Sequence, residues 1–254
     1  MEVHQFKKDQ LRVNVFTDRR ALGRDAAGMA AQRLQELTAA QAQVNVIFAA
    51  APSQNEFLEA LAARTDIDWP KINAFHMDEY LGLPANAPQS FGHFLRSRIF
   101  EKVPFAAVFY LDGNAPDTDA ACDHYTQLLR ENPPDVVCMG IGENTHIAFN
   151  DPHAADFKDR QWVKQVALDA ACRQQQVNDG CFASIAEVPT HAITLTVPAL
   201  MQAPAVYCMV PGPTKRQAVR HTLLEPVSSA FPSTILRTHG NAMLFLDRDS
   251  YQPL

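Results

Sequence analysis

The sequence predicts an α/β fold: a mostly parallel sheet flanked by helices on both faces. Two observations point there. Short runs rich in Val, Ile and Phe alternate with segments of helical period almost to the end of the chain. Those runs are mostly apolar, which suits strands covered on both sides. Neither an internal repeat nor a linker interrupts the 254 residues, so residues 1–254 are expected to form a single domain of Rossmann-like construction.

Taken in order, Leu11–Phe16 reads as the first strand, and Asp18 as the N-cap of a helix with Leu22, Ala26, Met29, Ala30, Leu34 and Leu37 at helical spacing. Val44–Ala50 reads as a buried strand, with Ser53 capping a helix to about Arg64. Ile72–Met77 is the third strand, and a helix opens near Ser90. Ala106–Leu111 and Asp135–Met139 are strands bracketing a helix that carries Ala121, Tyr125, Leu128 and Leu129 on one face. Further strands are expected at Trp162–Ala167, Ala192–Val197, Ala205–Val210 and Ala242–Leu246, with helices beginning near Pro198 and Thr214.

Composition narrows the function. A net charge of -6 without a basic stripe argues against a nucleic-acid partner. The opening MEVHQFKKDQLRVNVF has no apolar core or small-residue cleavage site, so no secretory signal is expected. No run is long and apolar enough to suggest a membrane span. The five cysteines form no C-x-x-C and read as reduced thiols, and the nine histidines include no H-x-x-x-H pair. The expectation is a cytoplasmic protein without a metal or other cofactor; self-association into a homo-oligomer is left open.

In open parallel sheets ligands bind beyond the carboxyl ends of the strands, so the loops there carry the chemistry. AAAPSQN places Ser53 and Gln54 at a helix start, where a hydroxyl and free amides suit an anion as well as a simple cap. HMDEYLGLP places Asp78 and Glu79 side by side. Alternation along a strand would aim at most one of them into a crevice, where a carboxylate can act as a general base. In MGIGENTHIAFNDP, Gly140 and Gly142 allow close approach, His146 can exchange a proton near neutral pH, and a hairpin could return Asp151 to the ring. VPGPTKRQAV puts Lys215 and Arg216 in a first helical turn, where cations oppose the helix dipole unless an anion lies between.

Together these loops describe a phosphorylated small substrate, a carboxylate and a histidine. The segments FHMDEYLGLP, QSFGHFL, LDGNAPD, MGIGENTHIAFNDP and PGPTK resemble the glucosamine-6-phosphate deaminase/isomerase family, within the superfamily that includes 6-phosphogluconolactonase. They occur in the family's order and span most of the chain. Tyr80 and HIAFNDP match the deaminase/isomerase branch better than the lactonase branch.

The resemblance implies a fold of the deaminase/isomerase type and a reaction on an amino-sugar phosphate. His146 would open the sugar ring and Asp78 would move a proton from C2 to C1, with loss of ammonia where C2 bears an amine. Asp151 would orient the histidine, with Asn144 beside it. Ser53, Gln54, Gly142 and Lys215 would hold the phosphorylated sugar, Glu79 and Tyr80 would line the site, and Arg173 would be a further phosphate ligand. The chain departs from the family pattern at Asn144, where an aspartate is usual, at Thr145, where glycine is usual, and at Asp151, where a glutamate is usual. An amide at 144 is expected to weaken the histidine relay. Two other readings stay open: a lactone hydrolase in which His146 activates water, and a sugar-phosphate sensor without turnover.

Overall fold

The structure, a computed structural model, describes residues 2–84 and 86–252. The strands in chain order are β1 (Glu2–Lys8), β2 (Leu11–Phe16), β3 (Val44–Phe48), β4 (Ile72–His76), β5 (Asp78–Tyr80) and β6 (Ala107–Phe109). They continue with β7 (Val136–Met139), β8 (Val163–Ala167), β9 (His191–Leu195), β10 (Ala205–Val210) and β11 (Ala242–Asp247). The helices are α1 (Arg19–Ala40), α2 (Asn55–Ala62), α3 (Phe91–Leu95), α4 (Thr118–Glu131), α5 (Ala170–Asn178), α6 (Val197–Met201) and α7 (Arg216–Leu224).

Eight strands form the main sheet in the order β1-β2-β11-β10-β7-β3-β4-β6. All neighbours are parallel except β1 and β2, which make an antiparallel hairpin at one edge. The apolar strands divide their side chains between two cores, as their two-residue period demands. Val136 and Cys138 of β7 join the core under α1, with Leu22, Ala26, Ala30 and Leu34. Val137 and Met139 face the other core, with Tyr125 and Leu129 of α4 and Ala218 and Leu223 of α7. This two-sided burial is the expected α/β architecture.

Several helix starts also follow the sequence. Asp18 caps α1 by accepting the Ala21 amide at 2.8 Å, and Ser90 caps α3 by accepting the His93 amide at 3.2 Å. Two expected caps are corrected. No side chain caps the short 3-10 turn Pro52–Gln54 or α2 behind it, so Ser53 caps nothing. A 3-10 turn at Pro213–Lys215 also precedes α7, with Lys215 rather than Thr214 at the N-cap position.

The second half of the sheet differs from expectation more. Val163–Ala167 and His191–Leu195 leave the main sheet and pair antiparallel with Asp78–Tyr80, in the order β5-β9-β8. The Asp78 segment, read as a loop, is thus a strand. Among the described residues no helix is long and apolar enough to cross a membrane.

The strand order fixes the site. The chain runs outward through β3, β4 and β6, then returns to lay β7 against the other side of β3. Between β3 and β7 lies the switch point, where the crevice of an open sheet forms. The four loops singled out from sequence leave β10, β7, β3 and β4, which are consecutive and parallel, so all four open at one edge.

Candidate active site

The hairpin after β7 is built tightly around His146. The Gly142 amide donates to the His146 carbonyl at 2.9 Å, and the Thr145 amide donates to the Gly142 carbonyl at 3.0 Å. The turn holds Thr145 at φ 71, a left-handed conformation that costs a β-branched residue roughly 1–2 kcal/mol and suits the glycine usual there. Gly142 is needed for space: a Cβ at this position would lie 2.1 Å from His146 Cε1. The hairpin is locked to β9, since the Phe149 amide donates to Thr194 Oγ1 at 3.1 Å and Asn150 Nδ2 donates to the Leu195 carbonyl at 2.8 Å. Thr194 is in turn the partner of Asp78 across the small sheet. The unexpected second sheet is therefore the clamp that sets the hairpin beside Asp78.

His146 Nδ1 faces two oxygens, Asn144 Oδ1 at 2.7 Å and Asp151 Oδ1 at 3.2 Å. Both accept, so Nδ1 carries the proton and Nε2 of a neutral ring is left as the base. Asn144 Nδ2 donates to Asp151 Oδ1 at 3.0 Å and to Asp169 Oδ2 at 3.2 Å. The Asp169 amide donates to Asp151 Oδ2 at 3.3 Å. Burial alone would raise the Asp151 carboxyl; the hydrogen bond and charge of His146, the Asn144 amide and the Asp169 amide together bring it below its ordinary value.

This corrects the expected weakness at 144. The ring does have a carboxylate partner, and the amide is the donor that lets Asp151 and Asp169 lie close together. Asn144→Asp would lose two donors to carboxylates and add a third negative oxygen. The variant should lose about 1.5–3 kcal/mol or more of unfolding free energy at pH 7, with the deficit narrowing as acid protonates the cluster. Denaturant titrations at several pH values check this; equal stability at pH 7 would mean that the amide does not bridge the two carboxylates.

Asp78 is buried, 6% exposed. Burial, reinforced by the Glu79 charge, lifts its carboxyl well above the ordinary value. Glu79 turns the other way, and its carboxylate accepts the amides of Tyr80 at 2.9 Å, Phe91 at 3.1 Å and Gly92 at 2.8 Å. It anchors the start of α3 rather than presenting a free group. Tyr80 is likewise corrected: its ring is in the core, packed on Phe91, Phe149 and Phe182.

At the loop after β3, Gln54 is buried; its Nε2 donates to Ser53 Oγ at 3.0 Å and to the Met209 carbonyl at 3.3 Å. Gly140 lies against both side chains. Lys215 is 5% exposed, with no hydrogen bond or ion pair within 4 Å for its ammonium among the described residues. Burial pushes its pKa down, against the pull of Asp179 and Glu143. An ammonium without a protein partner at a helix start is chemically suited to an anion.

Arg173 is not part of this site. Its guanidinium donates to the carbonyls of Ile185 at 2.6 Å and Val188 at 2.9 Å, tying α5 to the turn beyond it. What the sequence did not reveal is that α5 covers the hairpin. Gln175 Oε1 accepts the Glu143 amide at 2.7 Å, and Asp169 caps the helix by accepting the Cys172 amide at 2.6 Å. The buried positions of α5 are Cys172, Gln175 and Gln176, two of them polar, so no apolar period announced the helix. Its one legible signal was an aspartate ahead of AACRQQQVN.

An open α/β fold with a histidine–carboxylate pair, a buried carboxylate and a lysine ammonium on one edge has the groups that acid–base chemistry on a small anion requires. The chain belongs to the family described as glucosamine-6-phosphate isomerases/6-phosphogluconolactonase, whose model matches residues 17–245. It is 32% identical over 208 residues to a glucosamine-6-phosphate deaminase of Listeria monocytogenes serotype 4a, covering 82% of this chain and 87% of the relative. The solved structure of a monomeric glucosamine-6-phosphate deaminase superposes with a TM-score of 0.84 at 26% identity, covering 94% of this chain and 98% of that one. A 6-phosphogluconolactonase from Thermotoga maritima shares the fold, with a TM-score of 0.76 at 19% identity over 94% of this chain and all (100%) of that one.

Proposed function

We propose that this protein is a cytoplasmic, single-domain, cofactor-independent isomerase/deaminase. Its substrate is a 2-amino-2-deoxyhexose 6-phosphate of the glucosamine 6-phosphate type, and its products are a ketose phosphate and ammonia. The observation that carries the reading is the buried Asp78. An uncompensated carboxylate is costly inside a protein, and proton removal from carbon needs a second base of raised pKa, where lactone hydrolysis needs only the base that activates water. The names of the relatives agree with it.

In this account Lys215 and Ser53 hold the phosphate, with Gln54 positioning the Ser53 hydroxyl. His146 Nε2 exchanges the proton between the ring oxygen and the anomeric hydroxyl, while Asn144 and Asp151 fix the tautomer. Asp78 takes the C2 proton to give an enolamine and returns it to C1. Water adds to C2 of the resulting imine, and ammonia leaves. Glu79, Tyr80 and Arg173 support the scaffold.

The hydrolase reading keeps His146 and Lys215 and makes Asp78 expendable. Incubating the protein with hexose 6-phosphates and with 6-phosphogluconolactone, and measuring ammonia, ketose and acid separately, distinguishes the two. Ammonia and ketose in equal amounts support the proposal; acid from the lactone alone sinks it.

Lys215→Met gives a second test. The lysine's lowered pKa means that folding disfavours its charge below the unfolded value, so the ligand-free variant should unfold at a higher temperature than the parent at pH 7. Phosphorylated ligands should bind it more weakly by roughly 1.5–3 kcal/mol and lose most of their thermal stabilisation. Thermal shift with and without a hexose 6-phosphate reads both effects. Undiminished stabilisation by the phosphate would remove Lys215 from the site.

A further inference from the structure

His146, Asp151 and Cys172 each present a ligand atom, all lying within 4.8 Å of one another and all three residues buried. The pair His146 Nδ1 and Asp151 Oδ1, 3.2 Å apart, already has nearly the separation of two ligands on one tetrahedral zinc ion, roughly 3.3 Å from ordinary zinc–ligand bond lengths. Cys172 lies in the first turn of α5, which is held over the hairpin by Asp169 and Gln175. Burial, together with the charges of Asp151, Asp169 and Asp78, raises its thiol well above the ordinary value in the free protein. Asn144 Oδ1, 2.7 Å from Nδ1, offers a further neutral oxygen. The family resemblance gave no role to Cys172.

We propose that His146 Nδ1, an Asp151 carboxylate oxygen and Cys172 Sγ form an inhibitory site for a thiophilic divalent cation of the zinc type. The mixed nitrogen, oxygen and sulfur set suits zinc and excludes magnesium and calcium, which require oxygen ligands. Binding replaces the Cys172 thiol proton with a metal–sulfur bond, and Nδ1 forms a metal–nitrogen bond as its proton passes to Nε2. The imidazole stays neutral, so only the thiol proton is released to solvent, one per metal bound. His146 then has no basic nitrogen facing the substrate, and Asp151 no longer orients the ring. Affinity should rise on the order of tenfold per pH unit while the thiol remains protonated in the free protein.

The loss of turnover rests on the role proposed above for His146; metal binding itself does not. The test therefore reads binding first, with cobalt(II) as a spectroscopic substitute for zinc. Titration of the full-length, reduced protein should produce a thiolate-to-cobalt charge-transfer band in the near ultraviolet, saturating at one equivalent. Cys172→Ala and Cys172→Ser should lack the band, and zinc should displace cobalt in the parent. In the activity arm, zinc should inhibit the parent, and a chelator should reverse the effect. Both variants should keep basal activity but need at least tenfold more zinc for half inhibition. A band that persists in both variants would assign the metal to another thiol. No band in the parent, or equal zinc sensitivity of all three proteins, would overturn the proposal. If the parent turns over no sugar phosphate at all, the cobalt titration still decides the site while the functional reading fails separately.

Discussion

Asp78→Asn should leave at most about one hundredth of the parent's turnover, the usual minimum contribution of a positioned general base. An amide has no lone pair basic enough to take the C2 proton, whereas its size and place on β5 are unchanged, so KM for the phosphorylated sugar should move only a few-fold. The same change should stabilise the protein. Burial and the Glu79 charge raise the Asp78 carboxyl, so ionising it costs more in the folded protein than in the unfolded chain. A group of this kind favours folding fully only below its unfolded pKa, and that contribution is lost as pH rises through the folded pKa. At pH 8 the asparagine variant should therefore have the higher Tm, and the gap should close toward pH 4. Unchanged kcat would remove Asp78 from the chemistry, and a less stable variant at pH 8 would contradict its burial as a strained carboxylate.

Gly142→Ala should be the most damaging change that touches no reactive atom. The new Cβ would sit 2.1 Å from His146 Cε1 and 2.3 Å from each ring nitrogen, so the imidazole cannot stay where it is. Moving it breaks the contacts of Nδ1 with Asn144 and Asp151. A displacement of about 1 Å costs on the order of a hundredfold in rate, and the loss should fall on kcat. Asp151 would also lose the hydrogen bond and charge that hold its carboxyl down, so part of the stability present above the unfolded pKa should disappear. Gly140→Ala is the comparison: its Cβ would meet Gln54 Nε2 at 3.0 Å and Ser53 Oγ at 3.2 Å, so its cost should fall on phosphate binding and leave the imidazole in place. Kinetics together with the NMR signal of the Nδ1 proton check both. A Gly142→Ala enzyme with normal kcat and an unshifted imidazole proton would refute the packing.

The parallel sheet and the edge that carries the candidate site were legible because they rest on strong local signals. Val136–Met139 and Ala205–Val210 are apolar on both faces and Val44–Phe48 nearly so, broken only by Asn45, and each ends in a loop with small or polar residues. Once those strands are parallel neighbours, Ser53, Asp78, His146 and Lys215 must share an edge. What failed to show was long-range or polar in origin. Asp78–Tyr80 becomes a strand only by pairing with Ala192–Thr194, more than a hundred residues away. Glu2–Lys8 owes its structure to the hairpin with Leu11–Phe16, since the segment EVHQFKK is mostly polar. Glu79 and Arg173 carry charges that suit a ligand, yet both are spent on backbone groups, which no spacing reveals. Asn144 looked like a defect in the sequence because Asp169, its second partner, is 25 residues away.

Proton transfer at C2 distinguishes this account from a lactonase or a sensor on the same fold. The measurement is turnover of glucosamine 6-phosphate in deuterium oxide, followed by proton NMR with ammonia assayed in parallel. The expected result is loss of the C2 proton signal, a ketose phosphate with label at C1 to the extent that Asp78 exchanges with solvent, and one ammonia per ketose. Both signals should vanish in Asp78→Asn. No ketose and no ammonia from the parent, together with hydrolysis of 6-phosphogluconolactone that survives Asp78→Asn, would contradict it.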